Sequence, residues 1–112
     1  MDWIEFIKDA DKDLAVYAKA LPGTMQAFGK MGAAAKDGGA LDLKTKELVA
    51  LGIAISTRCD HCIGYHARNL VRLGAKREEV AEVLAMTAYM GGGPSINYGS
   101  KALQAFDQFA KQ

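Results

Sequence analysis

Residues 43–73 read LKTKELVALGIAISTRCDHCIGYHARNLVRL and predict two consecutive helices. The segment from residue 43 to residue 55 is apolar on all sides past its first turn, which is typical of a central, buried helix. A buried strand is the competing interpretation, but the length of the apolar run favours a helix. Residues 60–73 place apolar side chains at helical spacing, and Gly74 follows as the expected C-terminal cap. We expect the two helices to pair antiparallel, because only the short turn Ser56-Thr57-Arg58 lies between them.

The rest of the chain also shows helical periodicity. Residues 2–20 carry apolar side chains mostly three, four and seven positions apart, which predicts an amphipathic helix. Pro22-Gly23 ends that helix, and Thr24 is a candidate cap for a second one. Lys76-Arg77-Glu78-Glu79 begins another helix, and Gly91-Gly92-Gly93-Pro94 separates it from a last one. In the last helix, the side chains expected to face the core are those of Ile96, Leu103, Phe106 and Phe109. In the second helix, the apolar side chains expected to lie in the core or in a subunit contact are those of Met25, Phe28 and Met31.

No segment alternates with a period of two, and no hairpin turn signal occurs. The fold class expected is therefore all-α, a compact bundle of five to six helices with Cys59-x-x-Cys62 at the start of a central helix. Residues 1–112 are expected to form one domain, since the commonest domain size is roughly 100–150 residues.

Composition and charge exclude several classes of protein. Lys and Arg number 14 and Asp and Glu 13, so the chain lacks the basic excess typical of nucleic-acid binding. The apolar runs are shorter than the ~20 residues of a membrane-spanning helix. The first residues, Met1-Asp2-Trp3-Ile4-Glu5-Phe6, do not resemble a secretory signal. With one local cysteine pair and no spread of cysteines, we expect a reducing, cytoplasmic location.

The cysteine pair and a histidine share one helix face. Cys59 and Cys62 are three residues apart, and His66 follows Cys62 by four, which makes neighbours of all three on a helix. A thiol loses its proton more readily at a helix N-terminus or beside a histidine, and the thiolate is the reactive form. His66 is placed to take the proton of Cys62 or to stabilise its charge. Which thiol attacks first stays open, because Cys59 is nearer the helix start.

Glu47 is the expected third member of this group. It lies nine residues before Ser56, and in an antiparallel pair with a rise of ~1.5 Å per residue it comes level with a position near His66. A carboxylate beside an imidazole fixes its tautomer and raises its basicity. Helix geometry thus suggests the order Glu47–His66–Cys62, with Cys59 as the second thiol.

Less reactive interpretations of the same residues stay open. The cysteines could be small core residues, His66 a satisfied core histidine and Glu47 an ordinary first-turn acid. Zinc could be held by Cys59, Cys62 and His66 with His61 or Glu47 as the fourth ligand, although the second cysteine pair usual in structural zinc sites is absent. Covalent haem attachment is excluded, because Ile63 stands where that motif needs a histidine.

These residues together resemble the core motif of the alkylhydroperoxidase D family, within the carboxymuconolactone decarboxylase superfamily. The resemblance rests on Glu47 followed by Cys59-x-x-Cys62-x-x-x-His66, with His61 between the thiols. It extends over about residues 43–103, including the helix start at Gly74–Val80 and the glycine-proline loop at Met90–Asn97.

The resemblance implies an all-α homotrimer or homohexamer that reduces a small hydroperoxide. In that scheme Cys62, activated by His66 and Glu47, becomes a sulfenic acid, and Cys59 condenses with it to a disulfide. His61 would be accessory. No bound cofactor is implied; a dihydrolipoyl group or dihydrolipoyl protein would reduce the disulfide, or electrons would pass to a peroxiredoxin partner.

Two other functions stay open at this stage. One is decarboxylation of a carboxymuconolactone, although that branch of the superfamily does not rely on a C-x-x-C. The other is a non-catalytic oligomeric protein that binds a metal or a partner, for which stoichiometric zinc after purification would be the sign.

Overall fold

The computed structural model describes residues 1–112, and all of its regular structure is helical. The all-α class and the number of helices are as expected. The six helices are α1 (Trp3–Ala20), α2 (Pro22–Lys36), α3 (Leu43–Ser56), α4 (Asp60–Arg72), α5 (Arg77–Gly91) and α6 (Gly93–Ala110). None of them combines the length and the apolar character that crossing a membrane requires.

The helix ends follow from local chemistry. The carboxylate of Asp2 accepts the N–H of Glu5 at the start of α1, and Asp42 accepts that of Thr45 at the start of α3. After α4 the chain turns at Gly74, whose φ of 75° favours a residue without a side chain.

The start of α2 differs from the prediction. Thr24 does not cap it; the N-cap residue is Leu21, three residues earlier, and the first helical residue is Pro22. Proline suits the first helical position because its missing N–H would have no partner there and its φ is already helical. The break between α1 and α2 is therefore a single residue, Leu21.

The core lies around α4, which packs against α3 on one side and α6 on the other. α1 crosses this group with Trp3 and Ile7, both buried, and the backbone N–H and the indole N–H of Trp3 donate to Gln108 and Gln104 of α6. The largest fully buried side chains are Trp3, Ile7, Leu51, Ile55, Ile63, Leu70 and Val80. The first turns of α4 are thus held from three directions.

Some apolar side chains expected in the core, or in the case of α2 in the core or a subunit contact, are exposed in the single chain. α2 has no buried residue, and Phe28 and Met31 are 67% and 64% exposed. α3 is buried on one side only, since Val49 and Ile53 are about half exposed on the other. The prediction that Ile96 faces inward is wrong, because the buried side of α6 runs through the smaller residues Ser95, Gly99 and Ala102.

Candidate functional site

The cysteine pair lies at the N-terminus of α4, as the sequence predicts. Cys59 is the N-cap residue, and its sulfur accepts the backbone N–H of Cys62 at 3.2 Å. The two are joined by a disulfide, with their Cα atoms 5.2 Å apart. Both are partly buried, and Cys62 packs against the core. A sulfur at this position lies at the positive end of the helix dipole, which stabilises a thiolate.

The turn before Cys59 sets the point at which α4 begins. Arg58 has a φ of 57°, a left-handed conformation that is uncommon for a residue with a side chain. This reverses the chain after α3, and the N–H groups of Arg58 and Cys59 bond back to the carbonyls of Ile55 and Ala54. Only Thr57 and Arg58 therefore separate the disulfide from the end of α3.

Glu47 and His66 are in direct contact across the α3–α4 pair. His66 Nδ1 and Glu47 Oε2 are 2.6 Å apart, and Glu47 is only 3% exposed. A buried carboxylate is stable when it is hydrogen-bonded, and this one is held by two side chains, since Asn69 Nδ2 also donates to Oε1 at 3.4 Å. Antiparallel pairing brings these residues level.

His66 is one helical turn from Cys62 on α4, and the structure shows no hydrogen bond between the two side chains. Because Nδ1 is bonded to Glu47, Nε2 is the ring nitrogen that remains for a thiol or a bound molecule. The arrangement supplies a proton acceptor and donor beside a sulfur pair.

His61 has a different environment. Its side chain is exposed and its ring packs on Phe6 of α1, with the ring centroids 4.7 Å apart. Phe6 in turn meets Trp3 edge to face. No hydrogen bond joins His61 to Glu47 or His66.

Two residues near the site were not predicted from the sequence. Asn69 follows His66 by three, so helical spacing could have placed it beside the same carboxylate. Lys101 of α6 pairs with Asp60, the residue after Cys59, at 3.1 Å, and its ammonium group lies 4.8 Å from the ring centre of Tyr98. No local pattern signals the contact with Asp60, because 41 residues separate the partners.

Two adjoining cavities lead to the Glu47–His66 pair. The larger, about 450 Å³, lies between α2 and α3 and has His66 and Glu47 in its wall. The smaller, about 240 Å³, has Glu47, Asn69 and Arg72 in its wall. A third opening of about 600 Å³ lies between α3 and α5 and does not include His66. Neither cysteine is in the wall of any of these three cavities.

No three His, Cys, Asp or Glu side chains converge at distances that could hold a metal ion. The candidate zinc ligands are divided between a disulfide and a His66–Glu47 hydrogen bond, with His61 turned to α1.

Comparison with known proteins gives one family. Residues 22–105 match the model of the carboxymuconolactone decarboxylase family. An uncharacterized protein of Cupriavidus necator is 41% identical over 102 residues, which cover 90% of this chain and 89% of that protein. An uncharacterized protein of Haemophilus influenzae is 40% identical over 105 residues, covering 94% and 93%.

Comparison with solved structures gives the same family. The apo crystal structure of a carboxymuconolactone decarboxylase family protein from Legionella pneumophila is 45% identical, with a TM-score of 0.94 and 96% of each chain covered. A family protein from Thermotoga maritima, for which a part in an antioxidative response has been suggested, is 30% identical, with a TM-score of 0.82 over 94% of this chain and 90% of that one.

Proposed function

The chain belongs to the carboxymuconolactone decarboxylase family, and from that premise we propose that it is an alkylhydroperoxidase-like oxidoreductase, a thiol-dependent peroxidase or disulfide reductase in antioxidant defence. The observation that carries the proposal is the hydrogen bond between the buried carboxylate of Glu47 and His66, one helical turn from a disulfide at a helix N-terminus. The response suggested for the Thermotoga maritima relative agrees with it.

The reaction starts from the reduced protein. The thiolate of Cys62 attacks one oxygen of a hydroperoxide; the O–O bond breaks, Cys62 becomes a sulfenic acid, and the alkoxide takes a proton to leave as an alcohol. Cys59 then attacks the Cys62 sulfur, the disulfide forms and water leaves. In sum, one hydroperoxide and two thiols give one alcohol, one water and one disulfide.

We assign the first attack to Cys62 because it is the cysteine one turn from His66. Nε2 of His66 takes the thiol proton and returns it to the leaving alkoxide. Glu47 holds the ring through Nδ1 and stabilises the imidazolium that forms in between.

Regeneration requires two electrons and two protons from another dithiol. A dihydrolipoyl group or dihydrolipoyl protein supplies them by thiol–disulfide exchange in a reducing cytoplasm. In the alternative cycle the reduced dithiol passes its two electrons to the disulfide of a peroxiredoxin partner, and the partner reduces the peroxide. The external thiol attacks the sulfur of Cys59, and the sulfur of Cys62 is the leaving group. We assign the roles in this way because Cys62 packs against the core.

The protein is proposed to act as a homotrimer or homohexamer. In the single chain α2 buries no residue, and Met31, which borders none of the cavities described, is 64% exposed. Exposed apolar side chains on one helix are typical of a surface that another protein surface covers.

The test is a redox cycle on the protein itself. Reduced protein is exposed briefly to cumene hydroperoxide, then to dihydrolipoamide, with intact mass and thiol content measured at each step. We expect rapid loss of two thiols as one Cys59–Cys62 disulfide, followed by recovery. Oxidation no faster than that of a free thiol in solution would contradict the proposal.

Two variants separate this function from its rival within the superfamily. Cys62→Ser should abolish peroxide reduction, and Cys59→Ser should stop at a single oxidised cysteine without an internal disulfide. If the Cys62→Ser protein instead converts a carboxymuconolactone as well as the unaltered protein does, the chain is a decarboxylase.

A further inference from the structure

We propose that the site takes an elongated hydroperoxide with an anionic head group, a fatty-acid hydroperoxide being the chemical class, an inference that rests on the proposed peroxidase function. The apolar body of the molecule occupies the cavity between α2 and α3. Its carboxylate lies at the C-terminal ends of α2 and α4, where Lys36 and Arg72 stand.

The walls of the larger cavity suit a hydrocarbon chain. Away from the Glu47–His66 pair they are formed mainly by apolar side chains, those of Phe28, Leu41, Val49 and Ile53. Each of these four is half exposed or more in the single chain, so an occupant would remove apolar surface from water. A cavity with apolar walls and a few polar groups at one end is the usual form of a small-molecule site.

The charges at the cavities are unbalanced. Three cationic side chains, Lys36, Lys46 and Arg72, border the two cavities, against the single carboxylate of Glu47. That carboxylate is already occupied by His66 and Asn69.

Two of these cations are available to a ligand. Lys46 is not, because its ammonium group donates to the carbonyls of Ala35 and Asp37 at the end of α2. Lys36 and Arg72 form no ion pair within the chain. Lys36 borders both cavities, so a molecule that extends from one to the other passes it.

Distance along α4 sets the orientation of the molecule. Arg72 follows Cys62 by ten residues, which at the rise of an α-helix is about 15 Å, with His66 between them. The peroxide therefore belongs at the His66 end of the larger cavity, one helical turn from Cys62, and the anion at the Arg72 end of the smaller one. A hydroperoxide as short as the tert-butyl compound cannot span both.

The decisive comparison is between an acid and its ester. Linoleic acid hydroperoxide and its methyl ester, both below their micelle-forming concentrations, are compared by kcat/KM with dihydrolipoamide as reductant. We expect the acid to be preferred by about tenfold, the factor that one charge-assisted hydrogen bond supplies. The preference should shrink as salt is added, because screening weakens the attraction.

Matched variants locate the effect. Lys36→Gln and Arg72→Gln should each bring the acid-to-ester ratio toward one while cumene hydroperoxide is still reduced. Lys30→Gln, which removes the same charge from α2 but borders neither cavity, should leave the ratio unchanged.

A binding experiment keeps the inference separate from the peroxidase proposal. Hydroxylinoleic acid, the reaction product, and its methyl ester are titrated calorimetrically into the oxidised protein. Preference for the acid that is lost in Lys36→Gln supports the head-group site even if no hydroperoxide is turned over. Equal binding of acid and ester, or variants that lower only the Tm, would overturn it and leave Lys36 and Arg72 as side chains that stabilise helix ends.

Discussion

The imidazole of His66 has one nitrogen bonded to a buried carboxylate and the other free. This is the arrangement that a proton carrier needs, because the carboxylate fixes the ring and its tautomer while the free nitrogen exchanges the proton. The roles of individual side chains can therefore be tested by single substitutions.

His66→Ala should slow oxidation of Cys62 at neutral pH by about 100-fold, the contribution of a positioned acid–base group. The rate should recover toward higher pH, because the thiol must then lose its proton unaided. Stopped-flow oxidation by cumene hydroperoxide from mildly acidic to alkaline pH measures both. A rate–pH profile identical to that of the unaltered protein would remove His66 from the mechanism.

Glu47→Gln should act in the same direction and more weakly, by about tenfold, since the amide can still hydrogen-bond the ring but has no charge to stabilise the imidazolium. The same stopped-flow assay applies, with circular dichroism to show that the fold is kept. An unaltered rate would make Glu47 a structural residue only.

How much of the site follows from the sequence depends on the residue. Cys59, Cys62 and His66 lie on one helix, and Glu47 on the helix paired with it, so spacing and a short turn suffice to bring them near one another. The position of His61 against Phe6 could not be predicted, because it depends on how α1 crosses α4.

At the scale of the elements, α4 packs closely against α1 at Gly64, which lies between Cys62 and His66. A Cβ on Gly64 would overlap the Ile7 side chain, whose Cγ1 would be 2.6 Å away, and would come within 3.3 Å of Trp3. α1 can lie this close to α4 only because residue 64 has no side chain.

Gly64→Ala should therefore destabilise the protein by about 1–3 kcal/mol, the usual range for overpacking. Gly52→Ala in α3 is the matched control: its Cβ would make an ordinary 3.5 Å contact with Val83. The gain in helix propensity there should stabilise by about 0.5–1 kcal/mol. Urea unfolding of both variants measures the difference. Equal stability would show that α1 shifts to accommodate a methyl group.

Helix positions were predictable from periodicity, whereas the molecule that covers each apolar face was not. The fully apolar character of α3 predicts burial on all sides, yet Val49 and Ile53 border cavities. The local sequence pattern indicates that a side chain is apolar. It does not indicate whether that side chain is covered by its own chain or by another molecule.

At the scale of the whole molecule, an ion pair joins the start of α5 to the end of α6. Arg77 Nε and a terminal guanidinium nitrogen donate to the two carboxylate oxygens of Asp107 at 2.9 and 3.1 Å. This hydrogen bonding lowers the pKa of Asp107, and likewise the backbone N–H of Lys76 and then the Lys44 ammonium lower the pKa of Glu79.

Because these folded-state pKa values lie below those of the unfolded chain, about 4, the stabilisation is fully present above that pH and is lost as the pH falls through the lower, folded values. We expect the Tm to decrease steadily below about pH 4. Asp107→Asn should lower the Tm slightly at neutral pH and flatten this acid limb. A variant curve parallel to the original at every pH would exclude Asp107 from the acid sensitivity.

The exposed apolar face of α2 gives a prediction about assembly. Met31, 64% exposed and outside the cavities described, should lie in the proposed subunit contact. Light scattering should find a trimer or hexamer, and Met31→Glu should lower the mass by burying a charge there. Lys8→Glu, on the solvated side of α1, is the control. A monomer at every concentration would contradict the proposed assembly.

Because Cys59 is the N-cap residue of α4, the stability of the fold and the reduction of the disulfide are linked. In the disulfide its sulfur is a weak acceptor for the Cys62 N–H, whereas a reduced, ionised sulfur would be a charged acceptor at the positive end of α4. The dithiol form and the disulfide form of the protein have separate free energies of unfolding. By a thermodynamic cycle, if the dithiol form has the larger free energy of unfolding, the disulfide of the folded protein is easier to reduce than that of the unfolded chain by the same amount of free energy. About 30 mV corresponds to each tenfold in that equilibrium. In the proposed cycle, any such stabilisation of the dithiol form by the helix favours return to the reactive state after each turnover.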